Sequence, residues 1–203
     1  VAAVEAGMQI AAELAASGVN LIGIGDMGIG NTTASSALAA VFTRSSPEEV
    51  TGRGTGVDEA GLGRKLRAIQ SALEVNEPDA RDPLDVLAKL GGFEIAGLCG
   101  VVLGAAAARV TVVLDGFIAG AAALVAARLV PEAAEYLIAS HRSVEPGHRR
   151  VLSVLGARPL LDLDLRLGEG TGAALAMSLV EASLAVLHEM ATFSTAHVSD
   201  SGA

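Results

Sequence analysis

Residues 21–40 read Leu-Ile-Gly-Ile-Gly-Asp-Met-Gly-Ile-Gly-Asn-Thr-Thr-Ala-Ser-Ser-Ala-Leu-Ala-Ala, and this stretch decides the fold. Leu21 to Ile24, with Val19 just ahead, form an apolar run short enough for one buried strand. Gly25, Gly28 and Gly30 follow, spaced so that the backbone can turn sharply and come close to a ligand. Asn31, Thr32 and Thr33 are candidate N-cap residues, and the alanine-rich run behind them favours helix. Strand, glycine loop and helix N-terminus in that order aim unpaired N–H groups and the positive end of a helix dipole at an anion. The stretch reads as a phosphate cradle.

On either side the chain alternates helices and strands. Val1 to Ser17 spells an alanine-rich helix stopped by Gly18, and the helix launched by the cradle runs to about Thr43. A polar break at 44–47 precedes a second glycine loop, Thr51-Gly-Arg-Gly-Thr-Gly-Val57, and then a helix over 58–75 that carries Lys65. Two helices, 82–90 and 93–108, are separated by Gly91-Gly92. Further strands are predicted at 110–114, 136–139 and 160–163, and further helices at 117–129, 148–155 and from Gly172 to about Met190. The tail from Ala191 is polar and predicted to fray. Strands alternating with helices of these lengths predict an α/β fold, a parallel sheet flanked by helices. Ligands of such sheets bind beyond the carboxyl ends of the strands. Asp26, Asp115, Arg142 and Ser143 each follow a predicted strand and so fall on one rim with the cradle.

Composition narrows the function. With 203 residues, 51% apolar but only 2% aromatic, the chain suits close-packed helices on a sheet. A net charge of −9 without a clustered basic run argues against nucleic-acid binding. Cys99, the single cysteine, excludes an internal disulfide and reads as a packing residue. Residues 93–129 are strongly apolar, yet Glu94, Arg109, Asp115 and Arg128 interrupt them, and no charge-free run reaches the roughly 20 residues of a membrane span. The four histidines lack the spacing of a zinc site, and no G-x-S-x-G elbow occurs. Absence of a signal peptide pattern suits a cytoplasmic enzyme or part of one.

Some motifs have both a functional and an ordinary reading. Gly23-Ile-Gly25-Asp-Met-Gly28 satisfies G-x-G-x-x-G, but no second strand ending in an acid follows about 20 residues on, which disfavours a dinucleotide-dependent oxidoreductase. The loop 51–56 suits backbone donors and hydroxyls wrapped around an anion, or simply a surface loop. Glu169, between two glycines at a helix start, and Asp26 can each be a functional acid or a dipole-favoured first-turn acid. Lys65, on an amphipathic helix, by itself reads as solvated.

Gly25-Asp-Met-Gly-Ile-Gly-Asn-Thr-Thr33, Gly52-Arg-Gly-Thr-Gly56 and Leu165-Arg-Leu-Gly-Glu-Gly-Thr-Gly172, in this order and at these separations, closely resemble nicotinate-nucleotide–dimethylbenzimidazole phosphoribosyltransferases. Asp82-Pro-Leu-Asp85 and His141-Arg-Ser143 extend the match over nearly the whole chain.

The resemblance implies a reaction in which nicotinate mononucleotide and 5,6-dimethylbenzimidazole give α-ribazole 5′-phosphate and nicotinate, in a homodimer, with no metal or other cofactor. Glu169 matches the catalytic glutamate, a general base. Gly28, Gly30, Asn31 and Thr32 match the phosphate loop, Gly54 and Gly56 the second glycine loop, and Lys65 a lysine of the active site. Asp115 and Ser143 match strand-end positions near the ribose and the nicotinate. Asp26 stands where the family's usual loop has glutamate, so its charge sits one methylene further back. The resemblance also implies an α/β domain over 1–165, with 166–203 supplying the catalytic loop and part of a small helical domain. Family members are usually longer at the N-terminus, so the chain is expected to be a C-terminal portion. The alternative is then a mononucleotide-binding portion without a complete acceptor pocket.

Overall fold

A computed structural model describes residues 1–54 and 56–198. The sheet is three-stranded and parallel in the order β1 (Leu21–Ile24), β2 (Thr111–Leu114), β3 (Leu137–Ala139). Its residues alternate strictly between faces, as the period of a strand requires. Ile22, Ile24, Val112 and Leu114 enter the main core, whereas Leu21, Val113 and Ile138 point to the opposite face.

The helices are α1 (Ala2–Ala16), α2 (Thr32–Thr43), α3 (Pro47–Val50), α4 (Glu59–Asn76), α5 (Pro83–Leu90), α6 (Phe93–Ala107), α7 (Phe117–Leu129), α8 (Pro146–Leu155) and α9 (Thr171–Glu189). On the main-core side α7 is buried almost throughout, because alanine and glycine keep it thin enough to sit among α2, α6 and α8. On the other face α9 lays Ala173, Ala176 and Met177 over Val113 and Gly23, where an added Cβ would come within 3.0 Å of Met177 Cε. Beyond that contact the second half of α9 is exposed. It is 19 residues long, and 18 of them in a row have mean hydropathy 1.4, long and apolar enough to cross a membrane by length and composition, but one such helix is weak evidence of a membrane role.

Most predicted elements are present, with shifts of a residue or two at their ends. Gly18 stands just past α1 with φ +91°, and Val19 N–H donates to Leu14 O at 3.1 Å, a glycine-ended helix as expected. Cys99 is fully buried, and burial pushes its thiol up to about 12. The fourth strand does not form. Residues 160–163 make a single bridge, Leu161 to His141: Leu160 and Leu161 donate to Ala139 O and Ser140 O, but Pro159 has no N–H to extend the ladder, and Leu160 and Leu163 stay 48% and 59% exposed. Asp162 instead pairs with Arg142. The polar break at 44–47 is too long, since Pro47 starts the short α3 inside a capping box of Ser46 and Glu49. A 3₁₀ turn over Pro131–Tyr136 was not legible as one. Within the tail, Thr192 and Thr195 hydrogen-bond each other in a local turn, while 199–203 lie outside the described residues.

The tightest helix contact is glycine-made. A Cβ on Gly100 would lie 2.0 Å from Val4 O, and one on Gly7 2.0 Å from Gly97 O, so α1 and α6 touch backbone to backbone. Alanine in a helix interior gains up to about 1 kcal/mol over glycine, but a clash with main-chain atoms cannot be relieved by a rotamer and costs about 1–3 kcal/mol. Gly100→Ala is therefore expected to destabilise by about 2 kcal/mol in urea unfolding. Gly63→Ala on α4, where the nearest neighbour is a mobile Arg67 nitrogen at 3.5 Å, is expected to stabilise by about 0.5–1 kcal/mol.

Candidate active site at the strand ends

A cleft opens at the carboxyl ends of all three strands, where the loops after each diverge. Asp26, Gly28 and Thr32 line it from the β1 loop, Asp115 from the end of β2, Ser143 from the loop after β3, and Gly54 from the second glycine loop. These six positions, 117 residues apart at their extremes by numbering (143 − 26), are brought together by the sheet.

The β1 loop is shaped by its own aspartate. Asp26 Oδ1 accepts the N–H of Gly28 and the Nδ2–H of Asn31, both at 2.7 Å. Gly28 and Gly30 have φ of +81° and +83°, a conformation that glycine adopts without cost. Asn31 is the N-cap residue of α2 by position, but its amide serves Asp26 and makes no cap bond.

Lys65 joins the two glycine loops. Its ammonium donates to Thr32 Oγ1 at 2.8 Å and to Gly52 O at 3.0 Å. Half-buried, it departs from the solvated lysine that periodicity alone suggests. Burial lowers its pKa, and the nearby Glu145 carboxylate opposes that shift. Glu145 Oε1 accepts the Gly54 N–H at 2.9 Å, so an acid from the start of α8 pins the second loop. Gly54 approaches Thr32 so closely that a Cβ would lie 2.8 Å from its hydroxyl oxygen. Gly56 is exposed and borders an adjoining groove instead of this cleft, and Thr55 lies outside the described residues.

Glu169 stands at the rim, exposed, beside Gly168, which lines the cleft. Its φ is +58°, flanked by Gly168 and Gly170 at +78° and +79°. Such a backbone costs a side-chain-bearing residue on the order of 1–2 kcal/mol. Arg44 and Glu77 adopt it as ordinary helix C-caps, whereas Glu169 precedes a helix. A hydrogen bond from Glu169 N–H to Asp26 O, 2.9 Å, holds the loop against the cradle. The left-handed backbone of Glu169, beside the cleft mouth, is thus maintained from outside, and such strain commonly accompanies function.

Sequence reasoning assigned no role to His141, His148, Glu145 or Arg166. His141, Glu145 and Arg166 line the cleft; His141 and Arg166 fall inside motifs of the resemblance, and the only signal for Glu145 was its place after a strand. Ser140 Oγ donates to Asp115 O at 2.9 Å, so its 2.9 Å contact with His141 Nδ1 needs the proton on that nitrogen. His141 is therefore the Nδ1–H tautomer, with Nε2 left as an acceptor. Burial pushes its imidazole below the ordinary pKa, the Asp115 carboxylate opposing. His148, beneath it, accepts the Ser143 N–H at Nδ1, 3.0 Å, and so holds the Ser143 backbone.

An α/β protein with two glycine loops, a lysine shared between them and a helix start at its strand ends has the makings of a site for a small anion. The sequence pattern of a phosphoribosyltransferase family matches residues 1–198, and the chain belongs to that family. It is 60% identical to nicotinate-nucleotide–dimethylbenzimidazole phosphoribosyltransferase of Chloroflexus aggregans, over 98% of this chain and 56% of that protein. The protein of the same name from a Geobacter species, strain M21, is 57% identical over 98% of this chain and 57% of its own length. The crystal structure of CobT from Thermus thermophilus matches with a TM-score of 0.92 and 49% identity, over 97% of this chain and 59% of that one. The chain thus spans a little over half the length of these relatives.

His148 makes the site sensitive to acid. Burial, with His141 adding to it, pushes its pKa from 6.5 down to about 3. Between these values the unfolded chain binds a proton that the folded chain refuses. Stability present above pH 6.5 is therefore lost as the pH falls toward 3, at about 1.4 kcal/mol per unit from this residue. Urea unfolding at pH 7, 6, 5 and 4 is expected to show a slope shallower by about that amount in His148→Gln.

Proposed function

We propose that this chain carries the donor site and the base of a phosphoribosyl transfer from nicotinate mononucleotide to 5,6-dimethylbenzimidazole, giving α-ribazole 5′-phosphate and nicotinate. The observation that carries the reading is Glu169, held in a left-handed backbone against the phosphate cradle at the mouth of the cleft. The first turn of α2, Thr32 and the Gly52–Gly56 loop would hold the 5′-phosphate, with Lys65 as the cation. Ser143 would lie toward the nicotinate, and Asp115 beneath the ribose with both its oxygens taken by backbone N–H groups.

Nicotinate mononucleotide is already a pyridinium, so when the C1′–N bond breaks its electron pair neutralises the ring, and nicotinate leaves without an acid. One ring nitrogen of the incoming benzimidazole bonds to C1′, and the N–H proton at its other nitrogen passes to the Glu169 carboxylate. Met27 and Leu167, 59% and 68% exposed beside Asp26 and Glu169, offer an apolar face for the flat acceptor. The same exposure of the rim supports a second reading, a portion that binds the mononucleotide but does not complete the acceptor pocket. We further propose a homodimer, and a division into an α/β domain over 1–165 and a catalytic loop and helix over 166–203.

Formation of α-ribazole 5′-phosphate is expected from the two substrates, falling about 10²–10⁴-fold in Glu169→Gln while nicotinate mononucleotide still binds in calorimetry. Binding without turnover in the unaltered chain would favour the second reading; neither would sink both. Lys65→Met is expected to weaken mononucleotide binding about tenfold or more, read by the same calorimetry.

A further inference from the structure

The carboxylate of Asp115, at the end of β2, reaches across the sheet edge to a different part of the chain. It is 3% exposed. Oδ1 accepts the N–H groups of Gly172 at 2.7 Å and Ala173 at 3.2 Å, and Oδ2 accepts that of Gly170 at 3.1 Å. These are the donors that a helix leaves unpaired at its first turn, and the N-cap residue of α9 is Gly170, with no side chain to satisfy them. A residue 55 to 58 positions upstream supplies the cap.

The seat has no slack. A Cβ on Gly25 would lie 2.3 Å from Gly170 N, and one on Gly172 would lie 2.0 Å from His141 Nδ1 and 2.8 Å from Asp115 Oδ1. Glu169, directly before the capped turn, has its own N–H bound to Asp26 O. Its peptide is therefore gripped on one side by the β1 loop and on the other by β2.

We infer that Asp115 is a positioning residue: by capping α9 it sets the stance of Glu169, and it acts on catalysis through that glutamate and not through contact with the ribose. The inference rests on the transferase reading given above. Its chemistry is specific to a carboxylate, which has only acceptors to offer. In asparagine one oxygen becomes an NH₂ group, which must face at least one of the three N–H donors. Glutamate keeps the charge but brings a methylene for which the packed glycines leave no room.

The test is a double-variant cycle of Asp115→Asn and Glu169→Gln, with kcat, the KM for nicotinate mononucleotide, and amide exchange as readouts. Asp115→Asn is expected to lower kcat about 10- to 100-fold with the donor KM within about twofold. Exchange protection of Gly170, Gly172 and Ala173 should fall while that of residues 112–114 is kept. The doubly substituted protein should be no slower than Glu169→Gln alone, because the anchor has nothing left to position. A fully additive loss would overturn the inference, as would a raised donor KM with kcat kept, or unchanged exchange at 170–173. Should Asp115→Asn not fold, Gly172→Ala, which displaces the same peptide and leaves the aspartate in place, goes through the same cycle, and additivity there overturns it equally. No turnover by the unaltered protein would bring down the transferase reading and this inference together. Turnover that depends on Glu169 but adds independently to Asp115 would bring down this inference alone.

Discussion

The site depends on carboxylates that grip backbone N–H groups. Asp26 closes the β1 loop through Gly28, Glu145 pins the second glycine loop through Gly54, and Asp115 caps the α9 turn through Gly170, Gly172 and Ala173. Each gripped segment is rich in glycine, which frees the backbone to turn but leaves it without side chains of its own to fix it. Hydrogen bonds to ionised groups contribute about 1.5–3 kcal/mol each, enough to select one loop conformation from many. The acids thus supply the order that the glycines give up.

This division of labour also separates charge from binding. An anion site built on acids looks contradictory, and a net charge of −9 deepens the impression. The contradiction dissolves once the acids are seen to act inward. Asp26 Oδ1 and both oxygens of Asp115 accept the protein's own N–H groups, and Glu145 lies near Lys65, opposing the fall in its pKa. Beside them the cleft meets the helix start at Thr32, with a lysine behind it. Two buried histidines support the site, one fixing the Ser143 backbone and the other wedged against Gly172.

Small residues do for the scaffold what glycines do for the loops. Contacts through Gly7, Gly100 and Gly104 bring α1 onto α6 at backbone distance, and the alanines of α7 let one helix be buried on nearly all sides. A chain with 2% aromatic residues has few large side chains to fill a core, so it packs its backbones together instead. The exposed half of α9 is the exception, since only its first turns reach the sheet.

The residues alone determined the order of elements, the parallel sheet and the gathering of strand-end positions on one rim. Those features follow from local signals: short apolar runs, glycine stops and the rule that ligands of parallel sheets bind beyond the carboxyl ends of the strands. The glycine loops and the left-handed turn around Glu169 lie in contiguous motifs, which is why both stood out. Tertiary structure decided what distance along the chain conceals. The fate of residues 160–163 depended on how far they would be buried, and Leu160 and Leu163 stay largely exposed. The stance of Glu169 depends on an aspartate 54 positions earlier by numbering (169 − 115), and the burial of Lys65 on a hydroxyl 33 positions earlier. A short sequence window records what a residue can do; only the packing of distant segments fixes which partner it meets, because hydrogen-bond donors and acceptors are common to every loop and their pairing is set by where the sheet places them.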